Sequence, residues 1–258
     1  MVDPDHPEGG SPTNLWELSR VLPVAGLEVE GRYQAADLDV RAGGDFFDVF
    51  PLGPERTAVI IGDIAGHGRA AAEASRSVRA LVHRELARAA GPADVLIAVE
   101  AELVADGAST MVTLLCAEID TGQNLVRMAS AGHCWPVVRR GSGLVEQFRQ
   151  APAPPLGVGL LDPAAGRPAE WALPFLAGDL AVLYTDGLVE RRRVPLDAVL
   201  GWVRDAVAEH GEPDELCRQL LDVAATQRDH DDDIAVLIVR RAIATDGDVR
   251  IHALEERV

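Results

Sequence analysis

Helical periodicity in this chain comes as two adjacent pairs, and nearly everything else with a pattern reads as strand. The first pair spans residues 69–90 and 94–105, divided by Gly91-Pro92; the second spans 195–209 and 213–227. Strand signatures occupy residues 27–33, 42–50, 57–64, 109–119, 125–131, 135–139, 144–148, 171–175, 180–186 and 233–240. Runs of strands with grouped helices specify an α+β chain, not an alternating βαβ one. Two antiparallel β-sheets, each covered by a helix pair, would bury every apolar face as a four-layer αββα sandwich. Residues 57–64 should pair back on the strand before them. The strands from 109 to 148 are expected to form one meander, and those at 171–175 and 180–186 a hairpin around Ala177-Gly178-Asp179.

With 258 residues, 48% of them hydrophobic, the chain can bury a substantial core. Residues 1–13, rich in Pro, Gly and Asp, should be disordered. Residues 14–24 form a short amphipathic piece with Leu15, Trp16, Leu18, Val21 and Leu22, ended by Pro23. It suits either core packing or contact with a regulatory partner or a second copy through 14–22. Residues 25–241 read as one domain, and 242–258 as a polar tail. Residues 150–168 hold five of the sixteen prolines and form a long loop within the domain, since strand patterns resume on both sides. Nothing before residue 20 is long enough to fold alone, so an input signal is expected from a separate protein, from a dimer contact through 14–22, or from nowhere.

The formal net charge of −17 excludes a nucleic-acid binder, which needs a basic face, and argues against docking on anionic lipid. No apolar run approaches a membrane span, and the N-terminus lacks the pattern of a signal peptide. The three cysteines are odd in number and show no CxxC spacing, as expected of reduced thiols in a cytoplasmic protein.

The acids concentrate where apolar runs end: Asp45 and Asp48, Asp63, Asp186, and Asp231-Asp232-Asp233. Asp63 lies in Gly62-Asp63-Ile64-Ala65-Gly66-His67-Gly68, between an apolar strand and an alanine-rich helix. A helix start adds a partial positive charge there. Taken singly, each aspartate fits ordinary turn chemistry. Together they suit a hard divalent cation, because converging carboxylates repel one another unless a cation stands between them. No HExxH, GxxxxGK[ST] or GxSxG motif supports a zinc protease, a P-loop enzyme or a serine hydrolase.

The motifs run in the order Gly43-Gly44-Asp45-Phe46-Phe47-Asp48, Gly62-Asp63-Ile64-Ala65-Gly66-His67-Gly68, Ala131-Gly132-His133, Pro155-Leu156-Gly157, Tyr184-Thr185-Asp186-Gly187-Leu188-Val189-Glu190 and Asp232-Asp233-Ile234-Ala235. This series resembles the bacterial PPM (PP2C-type) serine/threonine phosphatases of the SpoIIE/RsbU class over about residues 20 to 241. The resemblance implies the same sandwich with two Mn²⁺ or Mg²⁺ ions at one end. By position, Asp63 would bridge both ions and Ile64 would offer its carbonyl. Asp186 and Asp232 would complete one ion, and Asp45 would act directly or through water. Asp232 is preferred over Asp231 and Asp233 because it fills the acidic position of the family's final motif. Asp48, His67, Gly187 and Asp233 are expected to support the ligands or the turns.

The implied reaction is in-line attack of a metal-bridging hydroxide on a phosphoserine or phosphothreonine, with no phosphoenzyme. The implied substrate is an anti-anti-sigma (STAS-domain) regulator in a bacterial signalling or sigma-factor switch. The general acid of eukaryotic relatives would fall at Ala65, so protonation of the leaving group has no candidate. His67 and His133 read as structural. Arg191 and Arg192, in a run with Arg193, are either a solvated basic stretch or a contact for the phosphorylated partner. In relatives, helices such as 69–90 can shift and open or close the metal site. The alternative function is a catalytically weak phosphatase fold that serves as a binding or scaffold module in the same pathway.

Overall fold

A computed structural model describes residues 26–35, 43–66, 68–107, 110–148, 153–158, 168–190, 194–226 and 232–243. The expected segments 1–13 and 14–24 and nearly all of the 242–258 tail lie outside the described residues, as do His67, Asp231, Arg191, Arg192 and Arg193.

The described strands form two five-stranded antiparallel sheets. One joins β2 (Phe46–Pro51), β3 (Arg56–Ile64), β4 (Val112–Asp120), β5 (Leu125–Ala131) and β8 (Trp171–Pro174), in that order across the sheet. The other runs β1 (Leu27–Gln34), β10 (Ile234–Arg241), β9 (Leu180–Tyr184), β6 (Val137–Arg139) and β7 (Val145–Gln147). Helices α1 (Gly68–Leu86) and α2 (Pro92–Ala105) cover the first sheet, and α3 (Leu196–Glu209) and α4 (Pro213–Thr226) cover the second. The αββα architecture and the α+β class are as the sequence implies.

Three apolar layers hold the sandwich together, and β3 shows how one strand serves two of them. Side chains alternate between faces along a strand. Ala58 and Ile60 turn outward against α1 and α2, in a layer with Val78, Val82 and Leu96. Val59 and Ile61 turn inward and meet Leu115, Leu237 and Val239 between the sheets. The outer face of the second sheet, with Val182, Val236 and Ile238, packs on Val203, Leu216 and Leu220 of α3 and α4. Helix α1 buries Ala71, Ala72, Ser75, Val78, Val82 and Leu86, one stripe at three- and four-residue spacing.

Helix α1 stops at Leu86, four residues short of the expected end. The amides of Arg88 and Ala89 both donate to Glu85 O, closing a turn. Gly91 precedes Pro92, a position that disfavours helical backbone, so the chain turns before α2 starts.

Two strand pairings differ from expectation. The segments 125–131 and 135–139 do not continue one meander: β5 belongs to the first sheet and β6 to the second, where it pairs with β9 and β7. Gly132, at φ +67°, makes the sharp turn between the sheets. Likewise β8 and β9 form no hairpin. β8 pairs with β5 and β9 with β10, so the Ala177-Gly178-Asp179 turn also passes between sheets. Asp179 holds that turn, accepting Gly141 N at 2.8 Å, Leu176 N at 3.0 Å and Arg140 Nη1 at 3.0 Å. Of the long proline-rich loop, residues 153–158 are described; Leu156 bridges to Val112 through backbone hydrogen bonds of 2.8 and 3.0 Å.

Candidate metal centre

Antiparallel pairing sets the start of one strand beside the end of its neighbour. Asp45 immediately precedes β2, and Asp63 is the penultimate residue of β3, with Phe46 opposite Gly62. In the other sheet Asp186 opens the short 3₁₀ turn after β9, and Asp232 and Asp233 precede β10. Asp45, Asp63, Asp186 and the Asp232-Asp233 pair therefore share one end of the sandwich.

Hydrogen bonds tie the two sheets together there. Gly44 N donates to Asp233 Oδ2 at 2.8 Å. The Thr185 hydroxyl donates to Asp45 Oδ2 at 2.6 Å and accepts from Ala235 N at 2.8 Å. Ile64 N donates to Gly44 O at 3.3 Å, which sets the Ile64 carbonyl against Gly44. A side chain at Gly44 would collide with that carbonyl oxygen and stand 2.9 Å from Asp63 Oδ1. At Gly43 it would run into the Asp233 carboxylate, and at Gly187 into the Asp233 backbone carbonyl. These glycines let the two strand ends approach.

Crowded carboxylates resist ionisation. Burial, then the charge of Asp186 and more weakly those of Asp232 and Asp233, pushes Asp63 up to about 6. Burial and the charge of Asp63 raise Asp45 well above the usual carboxylate range, with Asp233 and Asp186 adding to the effect. Asp186 is raised by burial and by Glu190. Tyr33 of β1 brings its hydroxyl beside Asp233 and Asp45, and burial with those two charges keeps it protonated.

The other anticipated residues have distinct surroundings. Asp232 is exposed, and its Oδ1 accepts Asp233 N at 2.9 Å. Asp233 is buried and positions Gly44. Asp48 faces α1, where Arg79 Nη2 stands 2.7 Å and His83 Nε2 3.0 Å from its Oδ2. His133 is buried, with Nδ1 3.0 Å from Thr113 Oγ1. Thr185, Tyr33 and Thr113 were not singled out by sequence reasoning. Thr185 lies inside a recognised motif, but its two bonds depend on partners distant in sequence.

Among the described residues, no three His, Cys, Asp or Glu side chains are gathered tightly enough to grip an ion as they stand. The neighbourhood nonetheless fits a hard cation. Asp45 Oδ1 and Asp186 Oδ1 are buried without a hydrogen-bond partner. Gly44 keeps open the space at the Ile64 carbonyl and Asp63 Oδ1, and every donor is oxygen. A divalent cation would satisfy the orphan oxygens and offset the burial, and for Asp45 and Asp63 also the mutual repulsion, that raises these carboxyls.

Known proteins share this arrangement of elements. The RsbU and RsbW domains of a Mycobacterium tuberculosis protein match with TM-score 0.77 and 27% identity, over 90% of this chain and 68% of that one. The PP2C phosphatase domain of SpoIIE from Bacillus subtilis, with a fragment of its regulatory domain, matches with TM-score 0.69 and 20% identity. That match covers 83% of this chain and 63% of the other. The SiaA PP2C domain of Pseudomonas aeruginosa gives TM-score 0.66 and 18% identity, covering 82% of this chain and 85% of its own. Among the described residues no helix is long and apolar enough to cross a membrane. The sequence pattern described as Stage II sporulation protein E (SpoIIE) matches residues 53–242, well over half of the chain, which therefore belongs to the SpoIIE family of PP2C-type phosphatases.

Proposed function

We propose that this protein is a metal-dependent protein serine/threonine phosphatase acting on a phosphorylated regulator, an anti-anti-sigma (STAS-domain) protein, in cytoplasmic bacterial signalling. The observation that carries the reading is the convergence of Asp45, Asp63 and Asp186 from two sheets, with two buried carboxylate oxygens left unpaired. Asp63 and the Ile64 carbonyl would hold two Mn²⁺ or Mg²⁺ ions in common with Asp186, Asp232 and Asp45. Bound there, the ions would supply Lewis acidity toward the phosphoryl group and acidify a water for in-line attack. Thr185 fixes the rotamer of Asp45, and Asp233 fixes the Gly43-Gly44 backbone behind it. The RsbU and RsbW domains in one matched structure support a place in sigma-factor regulation.

The test is Mn²⁺-dependent hydrolysis of p-nitrophenyl phosphate and of a phosphorylated STAS-domain protein. Asp63→Asn and Asp186→Asn should abolish both with the fold retained. Unchanged turnover in either variant rejects the assignment. Tight binding of the phosphoprotein with no turnover would favour the alternative, a binding module built on the same fold.

A further inference from the structure

The end of the sandwich that carries the acids continues past Asp186. The antiparallel register sets the start of β6 beside the end of β9, with Val137 opposite both Val182 and Gln147. There a concavity of about 240 Å³ opens between the β5–β6 turn, the end of β9 and the first turn of α3. One water needs only about 10–15 Å³ by the same measure, so a whole side chain fits.

Its walls are largely apolar. Trp135, Val189, Leu196 and Leu200 line it. Leu196 and Leu200 lie four apart in α3 and so share one face. Leu196 is 53% exposed, and Trp135 and Leu200 are half-buried. The polar tips behind them are sealed from solvent. His133 lies against the Tyr184 carbonyl and Gln147 against the Tyr184 hydroxyl, and none of the three offers its tip to the cavity.

Two observations tie this surface to the acidic centre. Val189 closes the turn that Asp186 opens, its amide donating to Asp186 O at 2.7 Å. One such turn is about 6 Å long. Burial, then the charges of Asp186, Glu190, Asp45 and Asp63, pushes the Cys134 thiol in the cavity wall up to about 12. In an extended peptide, side chains two residues apart point the same way and stand about 7 Å apart. A phosphorylated residue held at the rim would therefore set its second neighbour over the cavity.

We propose that the cavity is a substrate subsite, taking an apolar side chain of leucine to phenylalanine size two residues from the phosphorylated serine or threonine. This rests on the phosphatase reading and adds a sequence preference to it. An acidic side chain is disfavoured, because Asp186 and Glu190 stand on the rim side. A polar one would lose its water and find no partner. A second copy of this chain, at net charge −17, would bring further acid against the rim.

The test uses phosphoserine peptides with leucine or alanine at both the −2 and +2 positions, with Mn²⁺ present and p-nitrophenyl phosphate alongside. The leucine peptide should show kcat/KM higher by about tenfold or more. Aspartate at the same positions should fall below alanine. Leu196→Ser, at an exposed helix start, should cut the leucine-over-alanine ratio by about fivefold or more. A general loss of activity does not change that ratio. Hydrolysis of p-nitrophenyl phosphate with no preference between the peptides overturns the subsite and leaves the phosphatase reading standing. Hydrolysis of none of the substrates overturns both. The subsite also falls if folded Leu196→Ser keeps the parent's ratio. Conversion of a dimer to a monomer by that substitution, with the ratio kept, would instead mark the surface as a contact between copies.

Discussion

The Thr185 hydroxyl donates to Asp45 Oδ2 at 2.6 Å, across 140 residues of sequence. The Thr185 hydroxyl oxygen also accepts from Ala235 N at 2.8 Å, so one hydroxyl joins the start of β2 in one sheet to β10 in the other. Thr185→Val keeps the shape and removes both bonds, leaving the Ala235 amide and one Asp45 oxygen buried and unpaired. A loss of about 1–3 kcal/mol of stability is expected by chemical denaturation. Mn²⁺ affinity should fall about tenfold or more by calorimetry, as when an outer-shell partner is lost. Thr185→Ser should restore most of both.

The raised carboxyls give a pH signature with a defined sign. Asp63 titrates near 6 in the folded protein, against 3.8 ordinarily. Between those values the folded form holds the proton more tightly than the unfolded form. Stability of the metal-free protein therefore falls as pH rises from about 4 to 6 and stays low above that. Asp63→Asn should stabilise the metal-free protein at pH 7 by on the order of 1–3 kcal/mol, with the difference gone near pH 4. Added Mn²⁺ should raise the Tm of the parent and leave the variant nearly unmoved. A variant less stable than the parent at pH 7 would contradict the crowding of charge at this rim.

Asp48 provides the contrasting case. It is buried and paired with Arg79 and His83 of α1, on the helix-facing side of the first sheet. His83 also stacks at a tilt on Phe50, with ring centroids 4.3 Å apart. Asp48→Ala should cost about 2–4 kcal/mol, because it strands the guanidinium of a half-buried ion pair. Mn²⁺ affinity, measured below the new Tm, should change less than twofold. A large loss of affinity would place Asp48 among the metal-holding groups instead.

Most element positions could be read from the chain, and so could the β2–β3 and β4–β5 pairings, while the sheets that β6 and β8 join could not. The reason is visible at Ala58-Val59-Ile60-Ile61, where both faces are apolar because one meets helices and the other meets the second sheet. A strand buried on two sides carries no periodic mark of its partner, as at Val137 and Val138 of β6, and β8 is too short to carry one, burying only Leu173. The acidic positions stood out because carboxylates at strand ends have few structural uses beyond turns. The groups that orient them did not. Thr185 and Tyr33 act through partners brought near only by folding, and threonine or tyrosine in a strand is ordinarily explained by packing.

Gly44 tests whether the space beside Ile64 matters. Its backbone is engaged twice, through N to Asp233 Oδ2 at 2.8 Å and through O to Ile64 N at 3.3 Å. A methyl group there would overlap the Ile64 carbonyl oxygen and approach Asp63 Oδ1 to 2.9 Å. Because the blocking atoms are partly backbone, strand ends must separate or the carbonyl must rotate away. Gly44→Ala is therefore expected to reduce Mn²⁺ affinity by at least tenfold and turnover by more, with a Tm loss smaller than that of Asp48→Ala. Local amide exchange should quicken at Ile64 and leave the interior of β4 protected. If Gly44→Ala binds Mn²⁺ as the parent does, the Ile64 carbonyl is not a ligand, and the assignment narrows to the carboxylates alone.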